Sequence, residues 1–285
     1  MRNIVFLNGR FLPANEAMVS IFDRGFTYGD GLFETIRSYQ GKIFAFDLHW
    51  ERLTNGVQAI GIPFRPGKRY LSECIEKLLR LNNLTASDAY IRLTITRGID
   101  FARIIPAGSL KPSVAIIAKP LEAKIKHYQQ HGISAILLAS KRNLPHIKSL
   151  NLLPNVMGLI EAKRRKAQEG IFTDGNKILE GTVTNIFIAD GKGIKTPPIE
   201  DGILPGITRR LVIELARREG IKVSEVSLTK KELKDCREAF LTNSIMEITP
   251  LIRIEDTLIG GGTIGVLTKR FQQRYNFTVL NQVLA

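Results

Sequence analysis

Short apolar sets, alternating or spaced by three and four, succeed one another along the chain with turn dipeptides between them, and each set predicts an element. Ile4 to Leu7 reads as a strand that stops at Asn8-Gly9, a dipeptide that favours hairpins. Phe33 to Tyr39, Gln40-Gly41 and Lys42 to Phe46 repeat the arrangement. Asp47, as N-cap, opens a helix towards Ile60 through Leu53 and Val57, and Leu71, Cys74, Ile75, Leu78 and Leu79 form the stripe of a second helix. Strands return at Ala89 to Thr96 and Ser113 to Ala118. Residues 121–132 are polar without a strand pattern. They predict a connection between an N-terminal α/β domain, 1–120, and a C-terminal domain, 133–285.

In the second half, Ile133 to Ala139 reads as a buried strand and Ser149 to about Lys166 as a helix, with Pro154 tolerable only in its first turn. Two hairpins follow, Gly170 to Thr173 with Ile178-Leu179 and Thr182 to Ile188 with Gly193 to Thr196, each joined at an Asp-Gly turn. Gly206 to Glu219 is a helix on the four-residue spacing of Ile207, Leu211 and Leu215, with Gly220 as its C-cap. Strands at Glu238 to Thr242 and Leu251 to Ile254 precede a last helix near Val266 to Tyr275. Strands and helices mixed without strict βαβ alternation predict an α+β fold.

Composition narrows the class. With 285 residues, 44% hydrophobic and 24% charged, the chain has the balance of a globular protein, and no apolar run approaches the ~20 residues that span a bilayer. The N-terminal apolar stretch ends after four residues at a turn, too short for a signal-peptide core, so a cytoplasmic location and no membrane partner are expected. Cys74 and Cys236 can build neither a disulfide framework nor a four-thiolate zinc site, and no metal is expected. A net charge of +14 admits nucleic acid, anionic metabolites or a basic surface. The densest runs, Lys163 to Lys166 and Lys230-Lys231, come with no zinc-finger spacing or aromatic RNA-binding motif, which leaves a basic nucleic-acid-binding protein as the alternative from another class.

Two motifs fail on context. Gly260 to Gly265 matches the dinucleotide-binding pattern, yet no acidic residue follows it, and it reads as a turn. His127 and His131 are four apart, but Tyr128 stands where a zinc protease carries its Glu, so the pair reads as two exposed histidines on a hinge helix.

Four features together say more than each alone. Gly206-Ile207-Thr208 opens a helix with free N–H groups and a hydroxyl at the positive end of the dipole, where a phosphate binds; the plain reading is capping. Thr242-Asn243-Ser244 offers further hydroxyls or a simple turn, Lys148 is a placed amine or decoration, and Glu180 is a placed carboxylate or a solvated strand end. A lysine, a carboxylate and two phosphate cradles are the parts that a pyridoxal 5′-phosphate enzyme needs.

Order and spacing carry the resemblance. Asp23-Arg24-Gly25-Phe26-Thr27-Tyr28-Gly29-Asp30-Gly31-Leu32-Phe33-Glu34-Thr35, His49-Trp50-Glu51-Arg52-Leu53, Ile147-Lys148-Ser149-Leu150-Asn151, Glu180-Gly181 with Thr184-Asn185, Gly206-Ile207-Thr208-Arg209 and Thr242-Asn243-Ser244 with Glu247 run in order through nearly the whole chain. In them the chain resembles the class-IV aminotransferase family, the fold-type-IV pyridoxal phosphate enzymes, which include branched-chain and D-amino-acid aminotransferases and aminodeoxychorismate lyase. The resemblance implies two domains, small N-terminal and larger C-terminal, with the cofactor between them, in a homodimer.

By the same resemblance, Lys148 links to the cofactor and later moves protons, and Glu180 holds the pyridine nitrogen protonated. Arg52, Ile207, Thr208 and Ser244 grip the phosphate, where a guanidinium supplies a geometry lysine cannot, and Asn185 joins the cofactor-binding set. Tyr28 and Phe33 match the wall of the substrate pocket, although core packing alone accounts for Phe33 as well. Arg92 resembles a position used in branched-chain enzymes and Arg97 one used for carboxylate recognition in D-amino-acid aminotransferases and the lyase. Five residues apart, they fall on opposite faces of an ideal strand. Thr35 matches the lyases, where branched-chain enzymes usually have glycine. The implied substrate is a small amine bearing a carboxylate. The implied reaction is elimination of pyruvate from 4-amino-4-deoxychorismate to give 4-aminobenzoate for folate synthesis, with transamination of a branched-chain or D-amino acid with 2-oxoglutarate as the alternative.

Overall fold

A computed structural model of the chain describes residues 3–284 apart from 102, 103, 109 and 192. It is α+β, with two sheets, and divides into two units. The first unit is the chain up to Leu121 with Ile147–Asn151 and the end of the chain from Gln282; the second is Glu122–His146 with Leu152–Asn281.

In the first unit, β1 (Ile4–Leu7), β2 (Arg10–Pro13), β3 (Gly31–Tyr39), β4 (Lys42–Ile43), β5 (Ala89–Thr96) and β6 (Ser113–Pro120) form one antiparallel sheet in the order β2-β1-β6-β5-β3-β4. Both two-residue hairpins take positive φ at both central residues, 48° and 90° at Asn8-Gly9 and 47° and 80° at Gln40-Gly41, as a primed turn requires. Between strands run the short α1 (Arg24–Tyr28) and two longer helices, α2 (Phe46–Ala59) and α3 (Lys68–Leu81). Leu32 and Ile36 of β3 and Ile91, Leu93 and Ile95 of β5 share one core with Leu53, Val57, Leu71, Ile75, Leu78 and Leu79, each such side chain worth ~1.5–3 kcal/mol when buried. Strand alternation therefore turns Phe33 and Thr35, with Arg92 and Thr94 opposite them, to the other face of the sheet. Asp47 is not the cap of α2: the N-cap is Ala45, left-handed at φ 51°, and Asp47 lies in the first turn, where its charge still favours the dipole.

The second unit carries α4 (Lys124–His131), β7 (Ile133–Leu138), α5 (Leu153–Arg164), β8 (Glu169–Asp174), β9 (Lys177–Gly181), β10 (Asn185–Ala189), β11 (Gly193–Thr196), α6 (Ile207–Arg218), β12 (Lys222–Glu225), β13 (Leu228–Thr229), α7 (Lys230–Asp235), β14 (Glu238–Asn243), β15 (Glu247–Ile254), β16 (Thr257–Leu258) and most of α8 (Val266–Leu284). Its sheet runs β12-β11-β10-β14-β15-β7-β8-β9-β13, with β16 beside β15. All five residues of β10 are buried, as in a strand covered on both faces: Ile186 and Ile188 join one core, while Phe187 stacks on Phe240, with centroids 4.9 Å apart, and Phe240 meets Phe271 of α8. Gly260 and Gly261 sit in a left-handed turn, φ 55° and 69°, and α8 begins only at Val266.

Several expectations change. The stretch 121–132 is no bare connection, because α4 packs on β15 inside the second unit. His127 and His131 are exposed on it with rings stacked at 4.3 Å. The helix expected from Ser149 begins at Leu153, since Phe33 N–H donates to the Lys148 carbonyl at 3.0 Å and Leu150 N–H to the Gly31 carbonyl at 3.0 Å, which holds 148–150 extended along β3. The same pairing places Ile147–Asn151 in the first unit rather than in a domain 133–285. The strand expected from Thr182 starts at Asn185, and 182–184 turn instead. Glu219 caps α6, with Gly220 left-handed behind it, and the last helix extends past Tyr275 to Leu284.

Candidate active site

Each unit gathers part of the expected constellation. In the first, Lys148 lies on the segment paired with β3, and its Nζ stands 4.5 Å from the centroid of the Phe33 ring. The Arg92 guanidinium stands 3.8 Å from the same centroid, so two cations address one aromatic side chain that is only 6% exposed. Thr35 pairs in register with Arg92 and, two residues on from Phe33, shares its face.

Arg97 lies beyond the last residue of β5, so strand alternation does not govern it. Its guanidinium is taken up by the protein: Nε and Nη2 donate to Asp30 at 2.7 and 3.1 Å, Nη1 to the Gly61 carbonyl at 2.8 Å and Nη2 to the Ile60 carbonyl at 2.6 Å. Asp30 also accepts from Arg24 Nε at 2.7 Å. Burial raises the Asp30 carboxyl, and the bonds and charges of the two arginines outweigh it and bring it below its ordinary value. Tyr28 ends α1 half-buried, with the Arg24 guanidinium 4.8 Å from its ring centroid.

Arg52 is held from the core side of the same sheet. Glu34, alternating with Leu32 and Ile36 on the face that meets α2, accepts Arg52 Nε at 2.8 Å and Nη2 at 2.6 Å, and its other partner is His49 Nδ1 at 2.6 Å. Burial works to raise the Glu34 carboxyl, but the charge and bonds of Arg52 and the bond from His49 bring it down to about 2. Burial pushes His49 below its ordinary value, against Glu34, which favours the imidazolium, and with the charges of Arg52 and Lys148, which oppose it. A neutral His49 donating from Nδ1 to the Glu34 carboxylate satisfies both.

In the second unit, Glu180 is the next-to-last residue of β9, with its carboxylate fixed on both oxygens. Arg142 Nη1 donates to Oε1 at 3.1 Å, and the Leu204 N–H donates to Oε2 at 3.1 Å, with Asn185 Nδ2 at 3.4 Å from Oε2. Asn185 also donates to the Leu204 carbonyl at 2.9 Å, so in the protein alone it works as a brace for Glu180 and for the approach to α6. That helix starts at Gly206, which brings no side chain to the N–H groups of its first turn. A Cβ at Gly206 would stand 1.9 Å from Asn185 Oδ1. Thr208 in that turn is 1% exposed, and its hydroxyl has no partner among the described residues; the same holds for Thr242, at the end of β14 and paired in register with Asn185. Buried hydroxyls without partners among the described residues and uncapped N–H groups form a donor set that suits an anion. Ser244 follows in the turn after β14, where Asn243 Oδ1 accepts from the N–H groups of Ile245 and Met246 at 2.9 and 2.6 Å. The donors at Ile207 and Thr208 therefore fit a phosphate, and the Glu180 carboxylate, as an acceptor, fits a protonated ring nitrogen.

Sequence reasoning missed Arg142, Glu34 and His49. A charged residue alternating with Leu32 and Ile36 was a signal for Glu34; Arg142 sits in a loop, and nothing local marks it. Within the first basic run, Arg164 pairs with Glu161 and Arg165 with Glu255. Among the described residues no group of three or more His, Cys, Asp or Glu is gathered as a metal site, and no helix is long and apolar enough to cross a membrane.

Residues 31–254 match the family Amino-transferase class IV. A Methanocaldococcus jannaschii protein provisionally named a branched-chain-amino-acid aminotransferase is 37% identical over 277 residues, 95% of this chain and 94% of that one. The aminodeoxychorismate lyase of Bacillus subtilis is 33% identical over 285 residues, 98% of this chain and 96% of its own. Among solved structures, the branched-chain amino acid aminotransferase of Escherichia coli superposes with a TM-score of 0.90 at 30% identity, covering 97% of this chain and 94% of that one.

Proposed function

We propose an activity for this chain from one premise: it belongs to the class IV aminotransferase family, whose members are pyridoxal 5′-phosphate enzymes. The chain takes a proton from the amine-bearing carbon of a small amino substrate that carries a carboxylate, and Lys148 is the group that moves it. The observation that carries this reading is the Lys148 amine over the Phe33 ring, on a sheet face that Thr35 and Arg92 share. When bound, the cofactor supplies an aldehyde for Lys148 and a ring that draws electrons from the reacting carbon. Glu180 would hold the ring nitrogen, and Ile207, Thr208, Ser244 and Arg52 the phosphate. Arg52 comes to that task already oriented by Glu34.

Lys148 Nζ would accept the proton and later return it, one group serving as base and acid. Tyr28 and Phe33 wall the substrate, and Arg92 takes its carboxylate, since Arg97 is committed to Asp30 and two carbonyls. The specific reaction we assign is elimination: Lys148 removes the proton at the amine-bearing carbon of 4-amino-4-deoxychorismate, the enolpyruvyl oxygen leaves the neighbouring carbon, and 4-aminobenzoate and pyruvate result. Thr35, with a hydroxyl on the Phe33 face, supports this outcome. Transamination of a branched-chain or D-amino acid is the second reading, favoured by Arg92, which resembles a branched-chain position, and by the names of two of the relatives. We further infer a homodimer, from exposed apolar side chains such as Phe26, Phe101, Ile104 and Ile105 in the first unit and Leu153, Val156, Met157 and Ile160 along α5 in the second. We infer a cytoplasmic location, where Cys74 and Cys236 stay thiols.

The test has two arms. Purified protein loaded with cofactor is given 4-amino-4-deoxychorismate, or else amino acids with 2-oxoglutarate. Pyruvate and 4-aminobenzoate in equal amounts are expected in the first arm. Glutamate in the second, with neither product in the first, replaces elimination by transamination. Borohydride reduction and peptide mapping must place the cofactor on Lys148; a label elsewhere overturns both readings.

A further inference from the structure

We propose that Glu169 is a positioning residue that ties down the turn 181–184 and so sets where Glu180 and Asn185 stand. The proposal rests on the reading that Glu180 holds the cofactor's ring nitrogen. Glu169 opens β8, is 1% exposed, and the donors that meet it are neutral. Its Oε1 accepts from the N–H of Gly170 at 2.9 Å, from the N–H of Thr182 at 3.1 Å and from the Thr182 hydroxyl; Oε2 accepts from the Thr184 hydroxyl at 3.1 Å. The Val183 N–H bonds the same carboxylate, so all of these donors but Gly170 belong to the turn. Register explains why a carboxylate is there. Ile171 of β8 pairs with Gly181 of β9, so the position opposite Glu169 is residue 183, where the partner strand has already turned away. The side chain of Glu169 supplies the acceptors that a continuing strand would have supplied.

The turn is closely wound around that carboxylate. Gly181 N–H donates to the Thr184 carbonyl at 2.7 Å, and Thr182 N–H also reaches the Gly170 carbonyl at 2.8 Å. A Cβ at Gly181 would stand 2.0 Å from Thr184 Oγ1 and 3.1 Å from Glu169 Oε2. Asn155 of α5 donates from Nδ2 to the Thr182 carbonyl, closing the far side. Glu180 is the residue before this turn and Asn185 the residue after it, and the two approach one another through Asn185 Nδ2. Holding the turn therefore holds both. A buried carboxylate without a counter-ion is costly to a fold, and burial pushes the Glu169 carboxyl above its ordinary value. An amide of the same shape would serve stability as well, which makes the pattern of acceptors the quantity to test.

The test uses the full chain and pyridoxal 5′-phosphate itself. In Glu169→Gln, one acceptor oxygen is kept and the Thr184 hydroxyl can take a bond from the amide, so cofactor affinity is expected to fall less than in Glu169→Leu, with an unchanged visible absorption band. In Glu169→Leu and in the milder Thr184→Val, cofactor affinity falls roughly tenfold or more for Leu and by a smaller factor for Val, and amide hydrogen exchange accelerates at 181–185 in the cofactor-free protein. Ile178→Val, a core change in the neighbouring strand, lowers the melting temperature without moving affinity or absorption. If Glu169→Leu does not fold, Thr184→Val carries the test. A folded variant of either kind that binds cofactor like wild type, or exchange that quickens evenly over the whole unit, overturns the proposal. If wild type takes up no cofactor, the reading that Glu180 holds a ring nitrogen fails, and the exchange arm still decides whether Glu169 ties down the turn.

Discussion

Arg92 and Arg97 have the same chemistry and opposite commitments. Arg97 makes charge-assisted bonds to a mostly buried Asp30 and caps two carbonyls, so Arg97→Met leaves a carboxylate and two acceptors short of partners, and a loss of roughly 3 kcal/mol in urea unfolding is expected. Arg92 stacks on Phe33, and Arg92→Met should cost about 1 kcal/mol or less while raising KM for the carboxylate substrate at least tenfold. A stability loss at Arg92 matching that at Arg97, with KM unchanged, would remove Arg92 from the substrate site. The Glu34 and His49 pair makes a pH prediction. Glu34 keeps its charge in the folded protein down to about 2, whereas unfolded chain takes up the proton near 4.5, so the stabilisation is complete above pH 4.5 and lost as pH falls towards 2, about 3 kcal/mol in all. His49, also lowered, acts in the same sense from its ordinary 6.5 downward, because the unfolded chain binds a proton that the folded one declines. In Glu34→Gln the fall below pH 4.5 should flatten, and in His49→Gln the fall that starts at pH 6.5; urea midpoints across the pH range check both.

Among the elements, α6 offers the sharpest separation of binding from folding. The Thr208 hydroxyl is buried without a partner among the described residues, so replacing it by a methyl costs the empty protein nothing and removes a bond from the phosphate. Thr208→Val is expected to keep or raise the melting temperature of the cofactor-free protein, by up to about 1 kcal/mol of stability, and to weaken cofactor binding roughly tenfold. Gly206→Ala instead drives a Cβ into Asn185 and should lower both. Elements of this kind were legible from local pattern: the Gly206 start of α6, the hairpins at Asn8-Gly9 and Gln40-Gly41, and the stripe of α3 all follow from spacing and turn chemistry. What misled was competition from distant partners. Ser149 has a helix pattern after it, but the backbone of 148–150 bonds to β3, and Asp47 lost the cap of α2 to a left-handed Ala45 set by the β4 hairpin's exit. In the candidate site, Lys148, Glu180 and Thr208 were legible only together and through the family resemblance, each alone having a plain structural reading. Arg142 and Glu169 were not legible, since each acts on a segment some 12 or more residues away whose position only the folded sheet defines.

On the scale of the whole molecule, α5 has more apolar surface than its own chain covers. Asn155, Gly158 and Ala162 are buried on one side, while Leu153, Val156, Met157 and Ile160, spaced three and four apart, remain 47–70% exposed on the other. An exposed apolar stripe on a helix is covered by a partner or costs solubility, and a self-complementary stripe is what a twofold dimer uses. Covering a Met or Ile side chain is worth ~1.5–3 kcal/mol, and the same position in a twofold interface occurs twice. Met157→Glu with Ile160→Glu would bring four carboxylates into that surface in the dimer, a cost that exceeds the gain from the remaining pair. Sedimentation equilibrium should therefore move from a dimer of wild type to a monomer of the double variant, with the far-ultraviolet spectrum unchanged because the altered face touches solvent in the single chain. A wild type that sediments as a monomer at tens of micromolar removes the homodimer. A double variant that remains dimeric moves the interface away from α5, to the exposed apolar side chains Phe26, Phe101, Ile104 and Ile105 of the first unit, where Phe101→Glu becomes the decisive change.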